Sequence, residues 1–296
     1  MQAVYSKNSV KTTVFLRKNQ TALFLSLFSL LAIVYSGIST EKFLPAIVHF
    51  VVILVSGSAF FWLLRLLTKK KKLFSNTLIT LLIVALLLHP LFMPQSLLMA
   101  SVVAFFAVAV KFFGEYKNVP FLNPAVAAVM TASAIAFFWE EKVVFVVNSW
   151  WGATFFPVGT DSFQVQISLV LLVLWAFFGL RTYKKVILAA CFLVSLFVAL
   201  LFFTQESAFV TSLFTDATIY FFTLIMLVDP KSSPIKKQEQ VFFGVLIGLM
   251  AAFFYSQDTW MYVQEQYFLC ALAVGNFLYF VKRSYPSVMH FFSSAS

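Results

Sequence analysis

The feature that most restricts this chain is a succession of apolar runs, each bounded by charges or proline and each near the length of a bilayer crossing. A spanning helix takes about 20 residues, and ten runs read as such helices, at 20–38, 43–67, 73–93, 95–113, 124–140, 166–180, 186–203, 213–228, 241–255 and 266–281. The expected fold is therefore an all-α polytopic membrane protein of about ten transmembrane helices. Composition agrees: 61% of the 296 residues are hydrophobic and 11% are charged, against about 45–50% and about 25% in soluble domains. Little chain is left for a Rossmann unit or a P-loop ATPase, so soluble chemistry has to come from partner subunits. Phe supplies 39 residues and Gly and Pro nine each, which is a lipid-facing bias and not a disordered or collagen-like one.

The first run follows Lys7, Lys11, Arg17 and Lys18 as in a signal peptide. No small-x-small cleavage site follows it, so it reads as a retained first helix. Ten crossings from a cytoplasmic N-terminus place 1–19, 68–72, 114–123, 181–185, 229–240 and 282–296 inside. With Arg65 and Lys111 at inner helix ends, 19 of the 21 Lys and Arg residues are then inside, and Lys42 and Lys142 alone are outside. One missed helix would invert every later loop, so this bias supports ten spans with both termini cytoplasmic in an inner membrane. The expected organisation is a cytoplasmic segment 1–19, one membrane domain 20–281 with an outer loop 141–165, and a cytoplasmic tail 282–296. The net charge of +10 is a topology signal for the lipid bilayer, and nucleic acid is not the expected partner. Ten spans divide as five plus five, and an odd number per half implies inverted halves, an arrangement that places sites between the halves.

Three segments can carry chemistry. The outer loop holds Asn148, Ser149, Trp150, Trp151, Gly152, Ala153, Thr154, Phe155 and Phe156. It reads either as an interfacial aromatic belt or as a Gly-Ala turn exposing the Thr154 hydroxyl beside rings that stack on a planar cofactor. The inner turn Val228-Asp229-Pro230-Lys231-Ser232-Ser233-Pro234 follows the eighth run. Pro230 stops that helix and Asp229 can accept backbone hydrogen bonds, as in any rigid turn. Paired with the other inner turn, Phe121-Leu122-Asn123-Pro124-Ala125, it supplies polar groups at two helix ends, where a ligand or a neighbouring subunit can be held. The eighth run places Asp216, Tyr220 and Thr223 on one face, Asp216 only about one turn below the outer surface. An ionisable residue inside a span is a functional candidate, although a wet helix start is the plainer account of Asp216. His49 and His89 lack companions at ligand spacing, and Cys191 and Cys270 lie far apart in apolar runs, so no metal site is expected.

These pieces, in this order, resemble the D subunit of the Rnf ferredoxin:NAD oxidoreductase complex and the related B subunit of the sodium-pumping NADH:quinone oxidoreductase. Leu224 to Pro234, followed by Phe243-Gly244 and a second glycine at Gly248, is similar to the family's Thr-Asp-Pro signature and its next helix, with Val228 in place of Thr. Lys111-Phe112-Phe113 with Asn123-Pro124-Ala125 resembles the family's Lys and Phe-Asn-Pro-Ala turn, and Asn276 matches an Asn of the last helix. Gly152-Ala153-Thr154 resembles the Ser/Thr-Gly-Ala-Thr site at which the family carries FMN through its phosphate. Trp151 stands where the family has Ser or Thr, and Asn148 where it often has Asp. The likeness spans about residues 105 to 281.

The resemblance implies a subunit of an ion-translocating oxidoreductase, a translocase that relays electrons through FMN at the outer face. It implies Thr154 as the attachment residue with Gly152, Ala153 and Trp151 around it, a flavin transferase and other membrane and soluble subunits as partners, and riboflavin as a further possible cofactor. Flavin chemistry needs no general base from the protein, which suits spans with few titratable groups. Two other classes stay open: a secondary transporter or channel whose path Asp216, Tyr220 and Thr223 would line, and a cofactor-free structural subunit, which is favoured if Trp151 blocks attachment.

Overall fold

The structure is a computed structural model describing residues 24–27, 29–30, 43–88, 94–116, 119–138, 173, 176, 180, 183–204, 210, 214, 217–229, 232–256 and 266–294. Its main elements are α1 (Phe43–Thr68), α2 (Phe74–Leu87), α3 (Pro94–Phe113), a two-residue hairpin of β1 (Glu115–Tyr116) and β2 (Val119–Pro120), α4 (Pro124–Phe138), α5 (Val186–Thr204), α6 (Ala217–Phe221), α7 (Lys237–Tyr255) and α8 (Tyr267–Ser294). A π-helical turn, Phe222–Met226, continues α6. The architecture is thus mostly helical, as expected of an all-α membrane protein.

Three of these helices, α1, α5 and α7, are long and apolar enough to cross a membrane, and Phe74–Leu87 and Leu97–Phe113 are shorter apolar helices. Their outer faces carry large apolar side chains: Val55 and Leu66 on α1, Val194 and Phe202 on α5, and Phe242 and Leu249 on α7 are all exposed. In water such a surface would drive association; in lipid it is at its ease. The hydroxyls follow the same logic. Ser56 donates to Val52 O at 2.6 Å, Ser101 to Leu97 O at 3.1 Å, Thr131 to Ala127 O at 2.7 Å and Thr204 to Leu200 O at 2.8 Å. Each bond hides a polar group within its own helix, where lipid offers no partner.

The helices pack as two groups that share a central pattern, although in the first α2 also packs on α3 and α4. In the first, α1 packs on α2 and α3, and α3 packs on α4; in the second, α5 packs on the π turn and most extensively on α7, and α7 packs on α8. Pro124 and Tyr267, where the corresponding helices α4 and α8 begin, are 143 positions apart. The groups meet where α8 packs on α4.

The α5–α7 contact explains a motif. A Cβ at Gly244 would lie 2.7 Å from Leu188 O, and one at Gly248 would lie 2.9 Å from both Leu196 N and Phe192 O. The two glycines, four residues apart, let the backbones touch, which is how helices associate when lipid supplies no hydrophobic drive. Ser195 Oγ spans the contact, 3.0 Å from Phe192 O and 3.4 Å from Gly244 O.

Several boundaries differ from the expected ones for local reasons. Helix α2 stops at Leu87 because Leu88 is extended, at φ −92° and ψ 130°. Helix α7 begins four residues before the apolar run at 241, since a first turn of Lys237, Gln238 and Glu239 is polar but still helical. Helix α8 continues from the run at 266–281 to Ser294. The hairpin between α3 and α4 pairs Glu115 with Pro120 and Tyr116 with Val119.

Candidate functional site

The site is assembled at the ends of the helices by two turns. In the first, Asn123 is the N-cap of α4: its Oδ1 accepts the Ala125 N–H at 3.0 Å and its carbonyl accepts the Ala127 N–H at 2.9 Å. Pro124 follows at the first helical position, where its missing N–H costs nothing. In the second turn, Asp229 follows the π turn. Its Oδ2 accepts the Ser232 hydroxyl at 2.8 Å, and its carbonyl accepts the Ser233 hydroxyl at 2.7 Å and the Ser233 N–H at 3.1 Å.

Asn276, buried on α8, ties these turns together. With its amide oriented to satisfy both neighbours, Nδ2 donates to Ser232 O at 3.0 Å and Oδ1 accepts the Asn123 N–H at 3.2 Å. Two segments a hundred residues apart in sequence are thereby held on one side chain of a third. A buried amide with both ends used is rigid and hard to replace.

A second clamp lies beside it. Lys185, 1% exposed, precedes α5 and donates from Nζ to Ser233 O at 3.1 Å and to Pro234 O. Burial pushes the Lys185 ammonium down to about 8, and the Asp229 carboxylate partly opposes that shift. Gln240, in the first turn of α7, donates from Nε2 to Lys184 O and Ile235 O, both at 3.0 Å. Lys184 takes a left-handed φ of 55°, which turns its carbonyl toward that donor. Gln240 Oε1 is buried without a hydrogen-bond partner.

Between the two groups of helices is a cavity of about 200 Å³. Its polar wall includes Lys72, Asn76, Lys111, Glu115, Asn123 and Asp229, and Tyr183 also contributes; its apolar wall includes Ile79, Ile83, Val110, Ile225 and Val228. Lys111 donates to Asn76 O and, at 2.6 Å, to Thr80 Oγ1, and Lys72 forms an ion pair with Glu115. The π turn closes with Leu227 N–H donating to Phe222 O at 2.8 Å. Such a turn adds a residue to the helical repeat and re-aims the residues beyond it; here Ile225, Val228 and Asp229 line the cavity.

Of the residues singled out from sequence, Asn123, Pro124 and Asp229 are brought into one place. Tyr220 and Thr223 are not part of it: the Tyr220 hydroxyl donates to Phe214 O at 2.8 Å and the Thr223 hydroxyl to Ile219 O at 2.6 Å. Pro230, Asp216 and the outer segment with Trp151, Gly152, Ala153 and Thr154 lie outside the described residues. Among the described residues no group of three or more His, Cys, Asp or Glu is placed to hold a metal. Lys185 and Gln240 were not anticipated as site residues; a lysine directly before an apolar run and a glutamine directly before one were the available signals. Compared with known proteins, the chain matches no protein-family model and no curated protein.

Proposed function

We propose that the chain is a ten-span inner-membrane subunit of a redox-driven ion pump, built as two inverted five-helix halves, that relays electrons through FMN at its outer face. The observation that carries this reading is the convergence at Asn276. The Asn123-Pro124 turn, the Asp229 turn and Asn276 are the inner segments on which the resemblance rests, and they meet in three dimensions. Chance likeness in three separate stretches gives no reason for them to touch. The repeated order of packed helices supports the two halves, since an odd number of spans in each half inverts one relative to the other.

In this reading the hydroxyl of Thr154 would hold FMN through a phosphoester bond, the transferase breaking the pyrophosphate of FAD so that AMP leaves with the hydroxyl proton, and the small residues Gly152 and Ala153 would let the backbone approach it. When bound, FMN supplies one- and two-electron transfer, so the protein's part is to place it and shield it. Trp151 stands three positions before Thr154 in sequence. The inner hub holds the halves in register, while electrons arrive from and leave to other membrane and soluble subunits.

The test is co-expression with a flavin transferase, read by in-gel fluorescence and intact mass. The chain should gain one covalent FMN, Thr154→Ala should lose it, and Trp151→Ser should raise occupancy. An Ala variant with the wild-type mass increment would place the attachment elsewhere, and no flavin in any variant would leave the cofactor-free structural role as the reading.

A further inference from the structure

We infer that the cavity at the inner hub binds an anionic phospholipid, with the phosphate at the Lys72 and Lys111 end and an acyl chain along Ile79, Ile83, Val110 and Ile225. The inference rests on the membrane placement of the helices and not on the redox reading.

The cavity is amphipathic along its length. At one end, Lys72 and Glu115 keep side-chain exposures of 25% and 19%, so water reaches them. The lining runs from Lys72, just before α2, to Ile83 within it, and the nine-residue rise from Phe74 to Ile83 at 1.5 Å each is about 14 Å into the apolar layer. A soluble anion has no use for an apolar wall of that length. A lipid headgroup with a chain fits both ends.

The charge at the open end selects the headgroup. The loop after α1 carries Lys69, Lys70, Lys71 and Lys72 in succession, and Lys111 adds a fifth ammonium from α3. Against these stand Glu115 and Asp229, and Asp229 also faces Lys185. The local balance is positive. The loop is tied to the end of α3: Lys70 Nζ donates to Phe112 O at 2.6 Å and stands 5.7 Å from the centre of the Phe113 ring, and Phe112 and Lys72 both line the cavity. Lys111 is fixed by its bonds to Asn76 O and Thr80 Oγ1, so little ordering remains to be done on binding. Basic pockets between helices at the membrane surface are a recognised setting for anionic lipid headgroups. Two such ammonium groups give charge-assisted bonds to phosphate that a zwitterionic lipid, carrying its own choline cation, uses poorly.

The experiment uses the full chain, purified in mild detergent and exchanged into equimolar phosphatidylglycerol and phosphatidylcholine, with retained lipid counted by native mass spectrometry. Phosphatidylglycerol should be retained over phosphatidylcholine, and Lys72→Gln with Lys111→Gln should lower that preference about tenfold. Ile83→Trp, which fills the apolar end and keeps both lysines, should also lose the lipid, while Lys237→Gln on exposed α7 should leave retention unchanged. Equal retention of the two lipids by wild type would overturn the inference without any variant. Displacement of the lipid by millimolar inorganic phosphate, with phosphate giving the same thermal stabilisation, would show a free-phosphate site and overturn it as well.

Discussion

Asn276 is the single side chain on which most of the inner hub depends. Replacing it with Ala leaves the Ser232 carbonyl and the Asn123 N–H without their partner, and an unpaired buried polar group costs about 1–3 kcal/mol. Asn276→Ala should therefore lower the melting temperature in detergent clearly, and Asn276→Asp, which keeps the acceptor for Asn123 N–H but aims a carboxylate oxygen at the Ser232 carbonyl, should not restore it. Asp229 ranks next. Its carboxylate receives the Ser232 hydroxyl and faces Lys185, whereas Asp216 is placed by sequence one turn from water. Asp229→Ala should reduce detergent-stable yield and, under the proposed redox function, electron transfer in the proposed complex, and Asp216→Asn should leave both nearly intact. The reverse ranking would bring the transporter reading forward. Lys185 gives a pH signature. Folding lowers its pKa from 10.5 to about 8, so between those values the unfolded chain binds more protons and stability rises with pH. Relative to Lys185→Met, the wild-type melting temperature should climb as pH goes from 8 toward 10.5 and stay level below 8; a fall across that window would contradict the burial of this ammonium.

At the scale of elements, the α5–α7 pair is the tightest joint, and its tightness comes from two missing side chains. Gly248→Val puts atoms where Leu196 N and Phe192 O already lie, an overpacking that costs about 1–3 kcal/mol or more. Its yield in detergent should drop sharply, while Leu249→Ala, on the neighbouring lipid-exposed position, should behave as wild type. Helix existence was legible in the runs that the described residues cover, because such apolar runs exceed what a soluble fold tolerates, while the runs at 20–38 and 166–180 lie largely outside the described residues; helix ends were less legible. Lys237, Gln238 and Glu239 are polar yet helical, since a helix running past the membrane surface changes solvent without changing conformation. The π turn at Phe222–Met226 has no sequence mark, because its residues would form an ordinary α-helix equally well. The two inner turns were visible through their prolines. That they touch was not, because the link is one amide on α8 and a hydrogen bond across the fold leaves no local pattern.

For the whole molecule, the two groups of helices repeat in order, which the sequence announced only through the count and parity of its apolar runs: at an offset of 143 residues Pro90 meets Ser233 and Pro94 meets Lys237, so no proline pattern repeats. The hub gathers the positively charged loops at one end: Lys70 and Lys72 reach Phe112 and Glu115, Lys185 reaches Ser233, and Lys282 pairs with Glu239 at 3.1 Å. A wrong number of crossings would scatter these segments over both surfaces. The central claim is that this gathered end is the cytoplasmic one, with the 141–165 loop and Thr154 on the other side. Cysteine accessibility in intact cells tests it most directly. In a background with Cys191→Ala and Cys270→Ala, single substitutions Asn8→Cys, Lys71→Cys and Ser294→Cys should escape an impermeant maleimide and Ser162→Cys should react. Labelling at position 8, 71 or 294, or protection at 162, would contradict the account.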